Sequence, residues 1–290
     1  MHPHETPGWL PMDDGLALRT YAWPHTRAGD SRGTVLIVHG LGEHAARYAH
    51  VAAELNAWGF DVRAYDQYGH GESPGKRGTL TSNGRLLDDL AAVIDHLRGE
   101  AGTDTPLVLL GHSMGGAVAA RFVERGLRPV DALVLSSPAL ASGMRGWQKG
   151  LARVLANLAP GITIGNGLPI ERISHDAAEV AAYRHDPLCH DRVGGRMACF
   201  IDAAGPAAIA AAPAWRVPTL LLYAGDDHLV DAAGSRAFAE AAPPDVVTTQ
   251  AFPRHYHELF NEADRAPVFD ALHAWLDARF PEAASASPSA

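Results

Sequence analysis

The residues best suited to covalent chemistry are Gly111-His112-Ser113-Met114-Gly115. Leu107 to Leu110, four apolar residues behind Pro106, read as a strand buried on both faces. From Gly116 to Glu124 the composition suits a helix, which should stop near Gly126. A strand that turns straight into a helix leaves no room for side chains beside the central residue, and glycines flank Ser113 on both sides. Such a turn lifts the serine hydroxyl above the sheet edge and points the Met114 N–H, at a helix start, toward an anion. A dinucleotide-binding turn would want glycine where Ser113 stands, and a phosphate loop would need a lysine that is missing. A serine in an ordinary Gly-rich turn is the remaining alternative, so the rest of the chain must supply partners.

Acyl transfer needs a histidine to take the serine proton and an acid to hold that imidazole. In an open parallel sheet such groups gather at the carboxyl ends of strands. Four loops here leave such ends: His39–His44, the Ser113 turn, Asp226/Asp227, and Pro253–Glu258. Met114 and Leu41, the latter in His-Gly-Leu-Gly, are placed to give the two backbone N–H groups of an oxyanion hole. Asp226 and Asp227 are adjacent, and successive residues of an extended exit point to opposite sides, so one of the pair can face the imidazole. Asp231 reads as a helix cap. His255 and His257 are both candidates for the base.

The positioning elements alternate. Two extended pieces within 9–23 flank a hairpin signal, Asp13-Asp14-Gly15. Strands are predicted at 34–38, 61–65, 132–136, 219–223 and 246–252. Helices are predicted at 47–58, at 83–98 with Asn83 as cap, at 235–242 and at 267–280. Strand alternating with helix implies a mostly parallel sheet with helices on both faces. From Pro138 to about Trp215 no strand is predicted, only helical pieces at 147–158 and 177–183. That is too long for a loop, so 138–215 is expected to be a helical cap inserted into a core of 1–137 and 216–282. Leu151, Val154, Leu155 and Leu158 recur at helical spacing there. They either pack on the core or line an acyl channel. Leu151 and Leu155 are carried forward as candidate substrate contacts, with His112, whose alternative is hydrogen bonding within the turn.

A chain of 290 residues with 47% hydrophobic content can bury a large core, and its net charge of −9 argues against nucleic acid. The start, Met1 to Gly8, lacks the pattern of a signal peptide, and no apolar run reads as a membrane span. A cytoplasmic location is therefore expected. Two cysteines, Cys189 and Cys199, make no disulfide framework and read as buried cap residues. Sixteen histidines are scattered, with His255-x-His257 close-spaced, so no metal is expected. Residues 283–290 are small and polar and read as a disordered tail. Without a strongly basic face, membrane contact is expected to be at most transient, through the cap. Nothing in the pattern sets an oligomeric state.

Several motifs together carry a resemblance: His39-Gly-Leu-Gly-Glu-His44 with Arg47-Tyr48, Asp66 with Gly69-His-Gly-x-Ser73, and Gly111-His-Ser-Met-Gly-Gly116. Asp227-x-Leu-Val-Asp231 and Tyr256-His257-Glu258 complete the set. The chain resembles the monoacylglycerol lipase and lysophospholipase branch of the α/β-hydrolases over roughly 30–136 and 217–280. The resemblance implies a cofactor-free serine hydrolase acting on monoacylglycerols or related acyl esters, small-molecule lipids, with Ser113, Asp227 and His257 as triad. Glu43, His44 and Arg47 form either a network supporting the oxyanion turn or a solvated salt bridge. Short- to medium-chain carboxylesterase, lysophospholipase and peptidase are the alternatives on the same fold. A non-catalytic binding protein would call for a damaged triad, and none of its positions is damaged.

Overall fold

The computed structural model describes residues 6–27, 29–102 and 104–282, so the expected tail at 283–290 lies outside it. The Asp-Gly hairpin joins β1 (Thr6–Pro11) to β2 (Ala17–Trp23), paired antiparallel. Then come β3 (Thr34–Val38), α1 (Ala49–Ala57) entered through a 3-10 turn, β4 (Asp61–Tyr65) and α2 (Arg85–Ala101). α2 starts after Gly84 with no side-chain cap, so Asn83 does not have the expected role. β5 (Leu107–His112), α3 (Met114–Glu124) and β6 (Ala132–Ser136) follow as the apolar runs predict. β3, β5 and β6 are buried at every position, the mark of strands covered on both faces.

The stretch after β6 departs from expectation. It holds α4 (Gly146–Leu158), β7 (Thr163–Gly165), α5 (Ala177–His185), β8 (Arg192–Gly194) and α6 (Gly195–Ala211). β7 and β8 pair antiparallel, so the stretch is not purely helical. The large apolar residues of α4 face outward: Trp147 is 66% exposed and Leu158 81%, and Leu151 and Val154 are exposed too. Its buried residues are Ala152 and Ala156. They pack on Gly195, where an added Cβ would come within 2.3 Å of the Ala156 nitrogen. α6 and the turn after it, Gly195–Ala214, have a mean hydropathy of 1.4 and are long and apolar enough to cross a membrane, against the reading that no such run exists. Here that helix packs on α3 and α4, with Ala204 against Ala117.

The chain closes with β9 (Thr219–Ala224), α7 (Ala233–Ala241), β10 (Val247–Phe252) and α8 (Ala266–Arg279). α6 packs against α7 as well. The eight-stranded sheet has the order β1-β2-β4-β3-β5-β6-β9-β10, parallel from β4 onward. Alternate residues feed two cores. Leu36, Leu109, Leu135 and Leu221 meet α2, α3 and α7 residues such as Leu90, Phe122 and Phe238. Ile37, Val108, Val134 and Leu220 meet Leu55 of α1 and Leu272 of α8 on the other face. The carboxyl ends of β3, β5 and β9 thus lie along one edge, where the candidate residues sit.

Candidate active site

Ser113 stands between β5 and α3 at φ 53° and ψ −120°, a region costly for any residue with a Cβ. The neighbourhood holds it there. Its N–H donates to the Ser136 carbonyl (3.0 Å), and its carbonyl accepts from Ala117 (3.1 Å) and Ala139 (2.9 Å). The glycine at 115 is dictated by close approach: a Cβ there would lie 2.0 Å from the Val38 carbonyl oxygen. α3 can begin against the end of β3 only with hydrogen at that position.

Asp227 leaves the end of β9. Its Oδ1 accepts the N–H groups of Leu229 (2.8 Å) and Val230 (2.9 Å), and its Oδ2 accepts from His257 Nδ1 at 2.7 Å. Both side chains are buried. Burial pulls the His257 pKa down, but the charge and hydrogen bond of Asp227 outweigh it, leaving the imidazole above its ordinary value. Burial raises the Asp227 carboxyl and the same pairing outweighs that too, leaving it lowered. Asp226 points away and pairs with His228 at 3.2 Å, while His255 is bonded to the Asp264 carbonyl at 2.8 Å. Asp231 accepts the Ala233 N–H at 2.8 Å one residue before the N-cap of α7, which is Ala232, so it is not the helix cap expected of it.

Ser113 and His257 border one cavity of about 290 Å³ together with Gly40, Leu41, Glu43 and His112. His112 lies with its ring 4.8 Å from that of His257, and its Nδ1–H donates to the Ser136 carbonyl at 3.1 Å. Burial, then the charge of His257, push its pKa down to about 4. It therefore faces the cavity as a neutral ring and also fixes the turn.

Glu43 organises the turn after β3. Its Oε1 accepts the Gly40 N–H (2.6 Å) and the Tyr48 hydroxyl (2.7 Å), and its Oε2 accepts from Arg47 (2.6 Å). Arg47 also grips Glu258 with both ends of its fork, at 2.8 and 2.7 Å. Burial would raise both carboxyls, but Arg47 holds them below the usual carboxylate range. Glu43 and Arg47 form the network at the turn, joined by Glu258 in place of His44, which bonds to Asp186 instead. Since Glu43 takes up the Gly40 N–H, Leu41 is the next amide of the turn. Leu41 and Met114 border a second, more apolar space of about 130 Å³ that also touches Ser113.

The two spaces divide by chemistry and meet at Leu41, Ser113, Asn166, Leu168 and Leu229. Glu43, His112, Tyr183, Asp186, His190 and Glu258 give the first a polar wall. Met114, Ala139, Met144, Val193, Ile201 and Val230 line the second. Leu151 and Leu155 border neither, which corrects their expected contact with substrate: small residues form the inner face of α4 and turn the leucines away. The sequence reading missed Tyr183, Leu168 and Ile201. Gly165 and Gly167 around Asn166 were the one local sign that the chain bends back there.

Both cysteines are half-buried, not buried, and Cys189 borders the polar space. His44, Asp186 and Cys189 bring ligand atoms within 4.8 Å of one another, the one such trio among the described residues that could hold a metal ion. In it His44 Nε2–H donates to Asp186 at 2.8 Å, and burial pushes the Cys189 thiol up to about 12, against the thiolate a metal needs.

A sheet of this order, with a strained serine between its central strand and the following helix, defines the α/β-hydrolase class. Residues 29–264 match the family model described as Serine aminopeptidase, S33, and the chain belongs to that family of serine hydrolases. It is 35% identical to a monoacylglycerol lipase of Mycolicibacterium smegmatis over 85% of this chain and 89% of that one. It is 30% identical to the human monoglyceride lipase over 99% and 98% of the two chains. Among solved structures, a monoacylglycerol lipase of Paleococcus ferrophilus superposes with a TM-score of 0.81 at 33% identity, covering 90% of this chain and 99% of that one.

Proposed function

We propose that this enzyme hydrolyses monoacylglycerols or similar acyl esters, with Ser113 as nucleophile, His257 as general base and Asp227 as its orienting acid. The observation that carries the substrate reading is the divided cavity. An apolar space and a polar space meeting at one serine suit a molecule with an acyl chain on one side of its carbonyl and a hydroxylated alcohol on the other. In the reading, Ser113 Oγ attacks the carbonyl as His257 takes its proton, and the Leu41 and Met114 N–H groups receive the oxyanion. His257 returns the proton to the departing alcohol, leaving the acyl group on Ser113. Water, activated by the same imidazole, then releases the acid. Every proton and electron pair is supplied by these residues and water, so no cofactor enters the scheme.

An aminopeptidase would need a free carboxylate to meet the substrate's ammonium group. Of the acids that line the polar wall, Glu43 and Glu258 are both bound by Arg47, Asp186 by His44 and Asp191 by Arg192, which favours the ester. The stretch 138–215 serves as a cap over the serine, with strands β7 and β8 as well as helices. Its exposed apolar residues on α4 suit brief contact with a lipid surface. The deciding experiment sets 1- and 2-monoacylglycerols and p-nitrophenyl esters of rising chain length beside aminoacyl p-nitroanilides. Ester turnover that vanishes in Ser113→Ala, together with fluorophosphonate labelling of the parent alone, is the expected result. Turnover of the anilides in preference to the esters would overturn the reading.

A further inference from the structure

A second concavity lies away from Ser113, where α2 and α3 of the core meet α4 and α6. It holds about 420 Å³, against about 290 Å³ for the polar space at the serine, and shares no lining residue with either space there. Four of its lining residues are arginines: Arg121 and Arg125 from α3, Arg153 from α4 and Arg196 from α6. Among the described residues no Asp or Glu lines it. In a chain of net charge −9, four guanidinium groups around one hollow are a local reversal of the field.

Two of the four are committed. Arg121 pairs with Glu124 at 2.5 Å, and Arg196 donates to the carbonyls of Leu80 (3.1 Å) and Thr81 (2.5 Å), which fixes its place at the rim. Arg125 and Arg153 have no carboxylate partner among the described residues. The field of Asp202 reaches Arg153, but that carboxylate is bonded to Lys149 (2.8 Å) and Ser142 (2.7 Å). Asn83 and Asn157 add neutral amides to the wall, and Leu87 and Phe200 an apolar patch. Arginine forks match the paired oxygens of a phosphate group better than they match a single-point anion.

We propose that this arginine-lined hollow binds a phosphate-bearing anion, which would bridge α3 of the core to α4 and α6 of the cap. The site is independent of the ester-hydrolase reading. The phosphate could come from a free compound or from a lipid headgroup, and the test separates the two. The full chain and an Arg125→Ala/Arg153→Ala variant are titrated calorimetrically with inorganic pyrophosphate at constant ionic strength. Both are also sedimented with vesicles of phosphatidylglycerol and, as control, phosphatidylcholine. Both arginines are exposed and line neither space at Ser113, so p-nitrophenyl butyrate turnover and Tm without ligand should match the parent. If the double variant melts early, Arg153→Gln alone takes its place.

The expected result is saturable pyrophosphate binding that weakens about tenfold or more in the variant, the loss of charge-assisted bonds. Binding only to phosphatidylglycerol vesicles, and lost in the variant, supports the same site with the headgroup as its ligand. Equal binding by parent and variant, or binding of neither form of phosphate, overturns the proposal.

Discussion

Asp226 and Asp227 leave the same strand and differ in what their carboxylates meet. Asp227 takes two backbone N–H groups and His257, while Asp226 takes an exposed His228. Asp227→Asn keeps the shape but favours the wrong imidazole tautomer, so kcat should fall by about 10³–10⁴. Asp226→Asn should cost less than about tenfold. The reverse ranking in steady-state assays would move the acid by one residue. The same pairing sets a pH dependence. As the proposed base His257 would have to be neutral to act, and its pKa stands above the ordinary 6.5, so kcat/KM should fall as pH drops through a midpoint above that value. A midpoint below 6.5 would mean that burial outweighs Asp227. These residues were legible because a strand exit, a motif and alternation bear on each. Tyr183 was not, since a tyrosine on a helix face carries no local sign of what lies across from it.

The central strands were readable for a related reason. β3, β5 and β6 are covered on both faces, so each is an unbroken apolar run between turn residues. The cap defeats that rule. β7 and β8 are three residues each, too short for a period to show. α6 carries Gly205 and Pro206, which read as breakers, yet Gly205 is where the helix meets the Leu140 backbone, its Cβ position 2.0 Å from that oxygen. On α4 the pattern misleads outright, because alanines and not leucines face inward. The proposed acyl contacts therefore move to the second space, which Ile201 lines. Ile201→Trp, which fills the small apolar space, should depress kcat/KM for a decanoyl ester more than for an acetyl ester. Leu151→Ser should change neither. Equal loss on both esters in Ile201→Trp would mean that this space does not hold the chain.

At the scale of the whole molecule, the Arg47 bridge ties the turn after β3 to the loop after β10. The arginine and both carboxylates are buried, so removing the cation leaves two uncompensated charges. Arg47→Ala should lose about 3–5 kcal/mol at pH 7, read by urea unfolding. The sign with pH follows from the direction of the shifts. Glu43 and Glu258 are held below their ordinary value of 4.5, so their contribution is full above it and is lost as the solution turns more acid. The gap between parent and variant should therefore hold from pH 7 to about pH 5 and narrow as the pH falls below 4.5. A gap that stays constant below 4.5 would show that the bridge acts by shape and not by charge.

The divided cavity also bears on where the acyl group goes once it is on the serine. With the chain parked in the apolar chamber, the polar chamber empties when the alcohol departs, and whatever enters next competes for the same ester bond. Water is one such acceptor and a polyol is another, because the wall that admitted a hydroxylated leaving group admits its return. On the proposed reading of the two chambers, transacylation is therefore expected. In concentrated glycerol the enzyme should shift its output from free fatty acid toward new glyceride, and chromatography of the products gives the partition directly. An output of acid alone at every glycerol concentration would mean that the polar chamber closes before the acyl group leaves.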